Sequence, residues 1–195
     1  MIKVFIYDDS DARKDSLMTL LDFTDNMQYV GSANNCSKVI EDMTINSPDI
    51  VLMDIEMPFT IGLEGLRQIK LQFPHIKVIM QTVVEDINMI FKAFQYGAEA
   101  YILKKASIAN ITDSIEKVYS GQVFLTPSVA SQILIYFSNQ ICQGQKNTSL
   151  TEGETEVLQL ISKGYGNKII AKKLHINDDL VNKNIKNIST KLQQL

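Results

Sequence analysis

Five polar residues lie at or directly after the ends of apolar segments: Asp8, Asp9, Asp54, Thr82 and Lys104. If these segments are parallel strands of one sheet, their carboxyl ends share an edge and the five side chains converge there. Three carboxylates in one crevice repel each other unless a cation joins them, and such hard oxygen ligands suit Mg²⁺. With Lys104 as a positive charge and Thr82 as a hydroxyl donor, the set predicts phosphoryl transfer onto Asp54. One acid alone would be explained as a solvated carboxylate, but five matching strand ends would not.

The apolar segments alternate with helical patterns through the first part of the chain. They read IKVFIY, YVGSA, DIVLM, KVIMQ and AYILK. Their cores are apolar without polar alternation, as expected of strands that helices cover on both faces. This order predicts an α/β fold with a doubly wound, five-stranded parallel sheet, followed by a small all-α domain.

The motifs YDD, LMDIEMP, QT and YILKK resemble those of the CheY-like receiver domains of two-component response regulators, over about residues 1–120. The resemblance implies that Asp54 is the phosphoacceptor and that a partner histidine kinase supplies the phosphoryl group. It implies an Mg²⁺ site made of the side chains of Asp8, Asp9 and Asp54 with the backbone carbonyl of Glu56.

A switch is also implied by the resemblance, formed by Thr82 and by Tyr101, which turns inward on activation. An ordinary half-buried strand tyrosine is the alternative for Tyr101. Val83 stands where the family usually has a small residue, which predicts slower phosphorylation and a longer-lived phosphate. Lys105 follows Lys104, and the loop before Gly62 lacks the family's usual acidic residue, but neither departure removes a catalytic group.

Three segments are predicted along the chain: a receiver domain at 1–122, a connector at 123–149 and a helix-turn-helix domain at 150–195. In the connector, Thr126-Pro127 has the residue types of a helix start. The polar composition of residues 140–149 predicts a flexible linker.

From Leu150 onward the pattern is entirely helical. Thr151 and Glu154 have the spacing of a capping box at the start of a supporting helix, and a short second helix follows. The third helix carries one apolar stripe, made of Val181, Ile185, Ile188, Leu192 and Leu195. Two helices joined by a tight turn after a supporting helix predict a helix-turn-helix.

The pattern LT.GE.EVL.LI.KGY.NK.IA..L.I resembles the LuxR/NarL/FixJ family of DNA-binding domains. Joined to a receiver, it makes the chain similar to a NarL-type transcriptional response regulator. The resemblance implies that phosphorylation releases the DNA-binding domain and permits homodimerisation, and that the third helix then enters the major groove. The candidate DNA contacts are Lys168, Lys183, Lys186, Asn187 and Thr190.

Several positions on the third helix depart from the family. Leu180, Asn182 and Asn184 stand where the family usually has a hydroxyl, a basic residue and a histidine, and Gly153 replaces an arginine. The two aspartates that open this helix suit its dipole but would repel phosphates. The sequence ends at Leu195 without the further helix that supports dimerisation in the family. DNA binding with modest salt sensitivity is therefore expected.

The charge is unevenly divided, with −5 over residues 1–148 and +2 over residues 149–195. No apolar segment is long enough to span a membrane, and the N-terminus is unlike a secretory signal. Cys36 and Cys142 have no metal or redox spacing, which indicates ordinary thiols in a reducing cytoplasm.

Two other functions compete with a transcription regulator. The altered third helix favours a receiver whose helix-turn-helix binds a protein partner or mediates self-association. A carboxylate phosphatase would need a second acid two positions after Asp54, and that residue, Glu56, lies in a Met-Pro loop. We therefore expect a protein that is not an enzyme.

Overall fold

The computed structural model describes residues 1–58, 61–83, 86–105, 107–142 and 149–194. Within these ranges the chain forms six strands and nine helices. The strands are β1 (Ile2–Tyr7), β2 (Met27–Ala33), β3 (Ile50–Asp54), β4 (Lys77–Thr82), β5 (Ala100–Leu103) and β6 (Phe124–Leu125). The helices are α1 (Asp11–Asp22), α2 (Val39–Asn46), α3 (Gly62–Gln72), α4 (Ile87–Gln95), α5 (Ile108–Tyr119), α6 (Pro127–Cys142), α7 (Glu152–Ser162), α8 (Asn167–Leu174) and α9 (Asp178–Gln193).

The strands form one parallel sheet in the order β2-β1-β3-β4-β5-β6. The predicted α/β architecture is confirmed, but the predicted count of five strands is one too low. The additional strand, β6, pairs Phe124 with Ala100 and Leu125 with Tyr101. The chain that follows α5 runs beside the edge of β5 and forms hydrogen bonds with backbone groups that would otherwise be unpaired. A two-residue pairing has no periodicity from which the sequence could predict it.

Helices cover both faces of the sheet, which explains why the strand segments are continuously apolar. α1 and α5 pack on one face, and α2, α3 and α4 pack on the other. Alternate residues of each strand supply the two faces. Ile79 of β4 lies with α1 and α5, whereas Val78 and Met80 lie on the opposite side.

The C-terminal helices α7, α8 and α9 form the predicted helix-turn-helix arrangement. The capping box is present, because Thr151 N–H donates to Glu154 Oε2 at 2.8 Å and Glu154 N–H donates to Thr151 Oγ1 at 3.3 Å. The apolar stripe of α9 is buried through Val181, Ile185, Ile188 and Leu192, while Leu195 lies outside the described residues.

The two parts of the chain pack on each other. α4 contacts α9, α6 contacts α7, and one apolar cluster continues from the α2–α4 face of the sheet into the C-terminal helices. α6 begins at Pro127, as predicted, but continues to Cys142, into the range 140–149 predicted as linker. Residues 143–148 lie outside the described residues.

Across the described ranges, no helix combines the length and the apolar character that crossing a lipid bilayer requires.

Candidate functional site

The three predicted aspartates meet in one pocket at the carboxyl edge of the sheet. Asp8 directly follows β1 and Asp54 ends β3; both are buried, whereas Asp9 is exposed. β1 and β3 are paired with Tyr7 opposite Met53, so Asp8 and Asp54 come next on adjacent strands. One carboxylate oxygen from each aspartate lies within 4.8 Å of the others.

Lys104, which directly follows β5, joins the two buried carboxylates. Its Nζ lies 2.7 Å from Asp54 Oδ2 and 2.9 Å from Asp8 Oδ2. Burial raises the pKa of Asp54 above its usual value; Lys104 lowers it in part and Asp8 adds to the rise. Burial lowers the pKa of Lys104, but its bonds to the two carboxylates outweigh that effect and the pKa is raised. The ammonium is therefore a fixed positive charge in the pocket.

Backbone contacts fix the position of Asp54. The N–H of Glu56 donates to Asp54 Oδ1 at 3.3 Å, and the N–H of Gly62 donates to the carbonyl of Ile55 at 3.0 Å. A Cβ at Gly62 would lie 1.9 Å from the backbone carbonyl oxygen of Asp54. Only glycine therefore lets α3 begin this close to the end of β3.

The donor set of this pocket fits Mg²⁺. It offers hard carboxylate oxygens from Asp8, Asp9 and Asp54 and one open side, because Asp9 is exposed. Mg²⁺ prefers few carboxylates and keeps several waters, which such an open pocket allows. The assignment of the Glu56 backbone carbonyl as a further ligand stays a prediction.

Thr82 and Tyr101 lie between the pocket and α4. Thr82 ends β4 and is buried, and its backbone carbonyl accepts from the N–H of Lys104 at 2.7 Å. Tyr101 is completely buried, and its hydroxyl lacks a well-formed hydrogen bond. Burial raises the pKa of Tyr101, and an interaction with Thr82 offsets part of that rise. Tyr101 is thus fully buried, and not half-buried, in a structure in which α4 is packed against α9.

Two residues of the pocket were missed by the sequence prediction. Arg13 of α1 bonds through Nη2 to Gln81 Oε1 at 2.7 Å and through Nη1 to the carbonyl of Lys104 at 3.1 Å, and its Nε lies 3.4 Å from Asp8 Oδ2. Gln81 immediately precedes Thr82 in β4 and is buried. The available signals were an arginine one helical turn after Asp9 and an amide inside an otherwise apolar strand.

The candidate DNA contacts lie on the surface of the C-terminal domain. Lys183, Lys186, Asn187 and Thr190 of α9 are all exposed, as is Lys168 of α8. The hydroxyl of Thr190 donates to the carbonyl of Lys186 at 3.0 Å, so only its acceptor capacity remains for a ligand.

Two of the departures from the family pattern make bonds within the domain. Asn182 Oδ1 accepts from Asn167 Nδ2 at 2.7 Å, and Asn184 Nδ2 donates to the carbonyl of Leu180 at 3.0 Å. The side chain of Leu180 itself is 41% exposed. These asparagines stabilise the start of α9 rather than adding positive charge.

Comparisons with known proteins match both parts of the chain. Residues 4–116 match the response regulator receiver domain, and residues 148–194 match the bacterial regulatory proteins of the luxR family.

Relatives of similar length cover almost the whole chain. It is 36% identical over 200 residues to the transcriptional regulatory protein LnrK of Bacillus subtilis, which covers 98% of this chain and 91% of LnrK. It is 32% identical over 193 residues to the response regulator protein VraR of Staphylococcus saprophyticus, which covers 98% of this chain and 90% of VraR. A solved structure of the Salmonella typhimurium RcsB response regulator, 22% identical, shares the fold with a TM-score of 0.63 over 98% of this chain and 91% of that chain.

Proposed function

Because the chain belongs to the response regulators that join a receiver domain to a LuxR-type DNA-binding domain, we propose that phosphorylation of Asp54 switches its control of transcription. The receiver domain implies a histidine kinase as partner, and the LuxR-type domain implies DNA. The observation that carries the proposal is the bridge from Lys104 to two buried carboxylates at adjacent strand ends. A positive charge held in this buried position can stabilise the negative charge of a phosphoryl group on Asp54.

In the proposed reaction, a carboxylate oxygen of Asp54 attacks the phosphorus of a phosphohistidine on the kinase. The new P–O bond forms as the P–N bond breaks, and the electron pair of that bond stays on the imidazole nitrogen. Lys104, which now bonds to Asp54 Oδ2 at 2.7 Å, pairs with oxygens of the transferred group. The hydroxyl of Thr82 donates to another of these oxygens.

Mg²⁺ would be held by Asp8, Asp9, Asp54 and the backbone carbonyl of Glu56. When bound, it neutralises negative charge on the transferred phosphoryl group.

The phosphorylated state acts on the C-terminal domain through Thr82, Tyr101 and α4. A hydroxyl drawn toward the phosphoryl group changes the space beside Tyr101, whose buried hydroxyl has no other well-formed bond to retain it. Because α4 packs against α9, a shift of α4 weakens the contact that holds the DNA-binding helix. Release of α9, followed by homodimerisation, is the proposed active state.

DNA is contacted in this proposal by α9 in the major groove, with Lys183, Lys186 and Asn187 as the principal contacts. Thr190 and Lys168 add contacts to the phosphate backbone. The exposure of all five side chains supports this arrangement. Since DNA is the target, the proposed place of action is the cytoplasm. The comparisons with known proteins give no support to the alternative of a helix-turn-helix that serves only protein interaction.

Intact-mass measurement after incubation with acetyl phosphate and Mg²⁺ tests the phosphoacceptor. The wild-type chain is expected to gain one phosphoryl group, and Asp54→Asn is expected to gain none. Asp25→Asn, which changes an exposed carboxylate outside the pocket, serves as the matched control and should behave as wild type. Equal phosphorylation of Asp54→Asn and wild type would disprove the assignment.

A further inference from the structure

We propose that Arg13 is a second cation built into the phosphoacceptor pocket, which weakens Mg²⁺ binding and positions the turn that carries Lys104. The inference rests on the proposed function of the pocket. It concerns a positioning residue, because Arg13 bonds to the walls of the pocket and not to Asp54.

The guanidinium of Arg13 links three strand ends. It bonds to the side chain of Gln81 on β4, to the backbone carbonyl of Lys104 after β5, and it pairs with Asp8 after β1. The arginine side chain is 21% exposed and that of Asp8 is 1% exposed, so water screens their attraction poorly. A planar group with several fixed donors suits this kind of bridge, and a lysine could not make it.

The contact with Arg13 explains why a glutamine, Gln81, is buried in this strand. Gln81 is 1% exposed, and its Nε2 has no hydrogen-bond partner among the described residues. A buried amide with an unpaired donor is destabilising, and an apolar residue would suit this strand position better. Its Oε1, however, accepts two bonds from Arg13, at 2.7 and 3.3 Å. These two hydrogen bonds thus offset the energetic cost of burying the amide and hold the guanidinium in place.

Donors from the chain already contact both carboxylate oxygens of Asp8. Its Oδ1 accepts from the N–H of Ser10 at 3.0 Å, and its Oδ2 faces both Lys104 at 2.9 Å and Arg13 at 3.4 Å. A divalent cation must therefore compete with two positive side chains for this carboxylate. The pocket holds three carboxylates and two cations, which leaves less negative charge for Mg²⁺ than a pocket with lysine alone.

Isothermal titration of the unphosphorylated full chain with Mg²⁺ tests the proposal. Arg13→Gln is expected to bind Mg²⁺ about three- to tenfold more tightly than wild type, because a positive charge beside the cation is removed. Arg13→Lys keeps the charge but cannot make the bridge, so its affinity should lie between those of wild type and Arg13→Gln. Arg67→Gln, at an exposed pair with Glu64, is the matched control and should leave the affinity unchanged.

Unchanged or weaker Mg²⁺ affinity in folded Arg13→Gln would overturn the proposal, as would equal effects of the glutamine and lysine variants. If Arg13→Gln does not fold, Gln81→Leu carries the test. It removes the acceptor that fixes the guanidinium, so tighter binding is expected and unchanged binding contradicts the proposal. These titrations need no phosphorylation, so their failure is distinguishable from a failure of Asp54 to accept phosphate.

Discussion

At the scale of single residues, the pocket is preorganised before any phosphoryl group arrives. Lys104 holds Asp54 and Asp8 together, and the N–H of Glu56 fixes the other oxygen of Asp54. Groups already in position cost little reorganisation during the reaction. Burial raises the pKa of Asp54 because it disfavours the ionised carboxylate. The positive charge of Lys104 reduces this effect.

Val83 is predicted to narrow access to the phosphoryl group on Asp54. It directly follows Thr82, and its side chain is 66% exposed, so truncation changes the surroundings of the pocket without opening the core. Val83→Ala is expected to shorten the lifetime of the phosphorylated state about two- to fivefold, equivalent to about 0.5–1 kcal/mol of barrier. Phosphate-affinity gels over time give this lifetime. Ile45→Ala, at an exposed position on α2, is the control, and equal lifetimes in all three proteins would contradict the role of Val83.

The sequence predicted the residues whose positions follow from strand ends, because parallel strands bring their carboxyl ends to one edge whatever lies between them. Asp8, Asp54, Thr82 and Lys104 are of this kind. Arg13 could not be predicted in the same way. Its partner Gln81 lies 68 residues away, and only the packing of α1 on the sheet brings the two together.

At the scale of elements, the geometry around Asp54 depends on how closely the first residue of α3 approaches the end of β3. Gly62→Ala would place a Cβ 1.9 Å from the Asp54 carbonyl oxygen, and a backbone atom cannot move aside as a flexible side chain can. We expect a loss of about 1–3 kcal/mol in the free energy of unfolding and loss of phosphorylation by acetyl phosphate. Denaturant unfolding and intact mass measure the two effects.

Gly153→Ala is the control for this substitution, since a Cβ there would meet only Asn184 Oδ1 at 3.8 Å. The alanine should stabilise α7, because it is the better helix former. Normal stability and phosphorylation of Gly62→Ala would show that the close approach is not required.

A substitution at Gly153 of α7 also tests the proposed DNA-binding surface. Gly153→Arg restores the residue type of the family pattern, and its Cβ would lie on the side of α7 that faces α9. One added phosphate contact should steepen the dependence of log K on log salt by about 0.9 for duplex DNA. Gly153→Ala separates this effect from helix stability, and identical salt slopes for the two variants would place residue 153 away from DNA. Fluorescence anisotropy at several salt concentrations gives the slopes.

The starts of α6 and α7 followed from the sequence, through Thr126-Pro127 and through the capping box of Thr151 and Glu154. β6 did not, because its two residues pair with β5 through backbone groups alone. The length of α6 was also underestimated, since the polar side chains at its end carry no signal that separates helix from linker.

At the scale of the whole molecule, the contact between α4 and α9 joins the receiver domain to the LuxR-type domain. The apolar cluster that crosses this contact holds the two parts in one compact arrangement. Beryllofluoride bound at Asp54 is expected to separate them and to raise the radius of gyration above the roughly 16 Å of a compact chain of 195 residues. Small-angle scattering with mass determination distinguishes separation from dimerisation. Asp54→Asn should show no change, and an unchanged scattering curve with the mimic bound would contradict release.

The sequence predicted both domains but not their contact. Apolar patterns show which face of a helix is buried without showing what it packs against, so the sequence did not indicate that α4 and α9 are neighbours.

Binding of fragments of the source genome, with and without beryllofluoride and at two salt concentrations, tests most directly that phosphorylation at Asp54 controls DNA binding. Specific fragments should be enriched only with the mimic, and Lys183→Gln with Lys186→Gln should abolish that enrichment. No enrichment in either state, with phosphorylation of Asp54 intact, would contradict phosphorylation-controlled binding of DNA by α9.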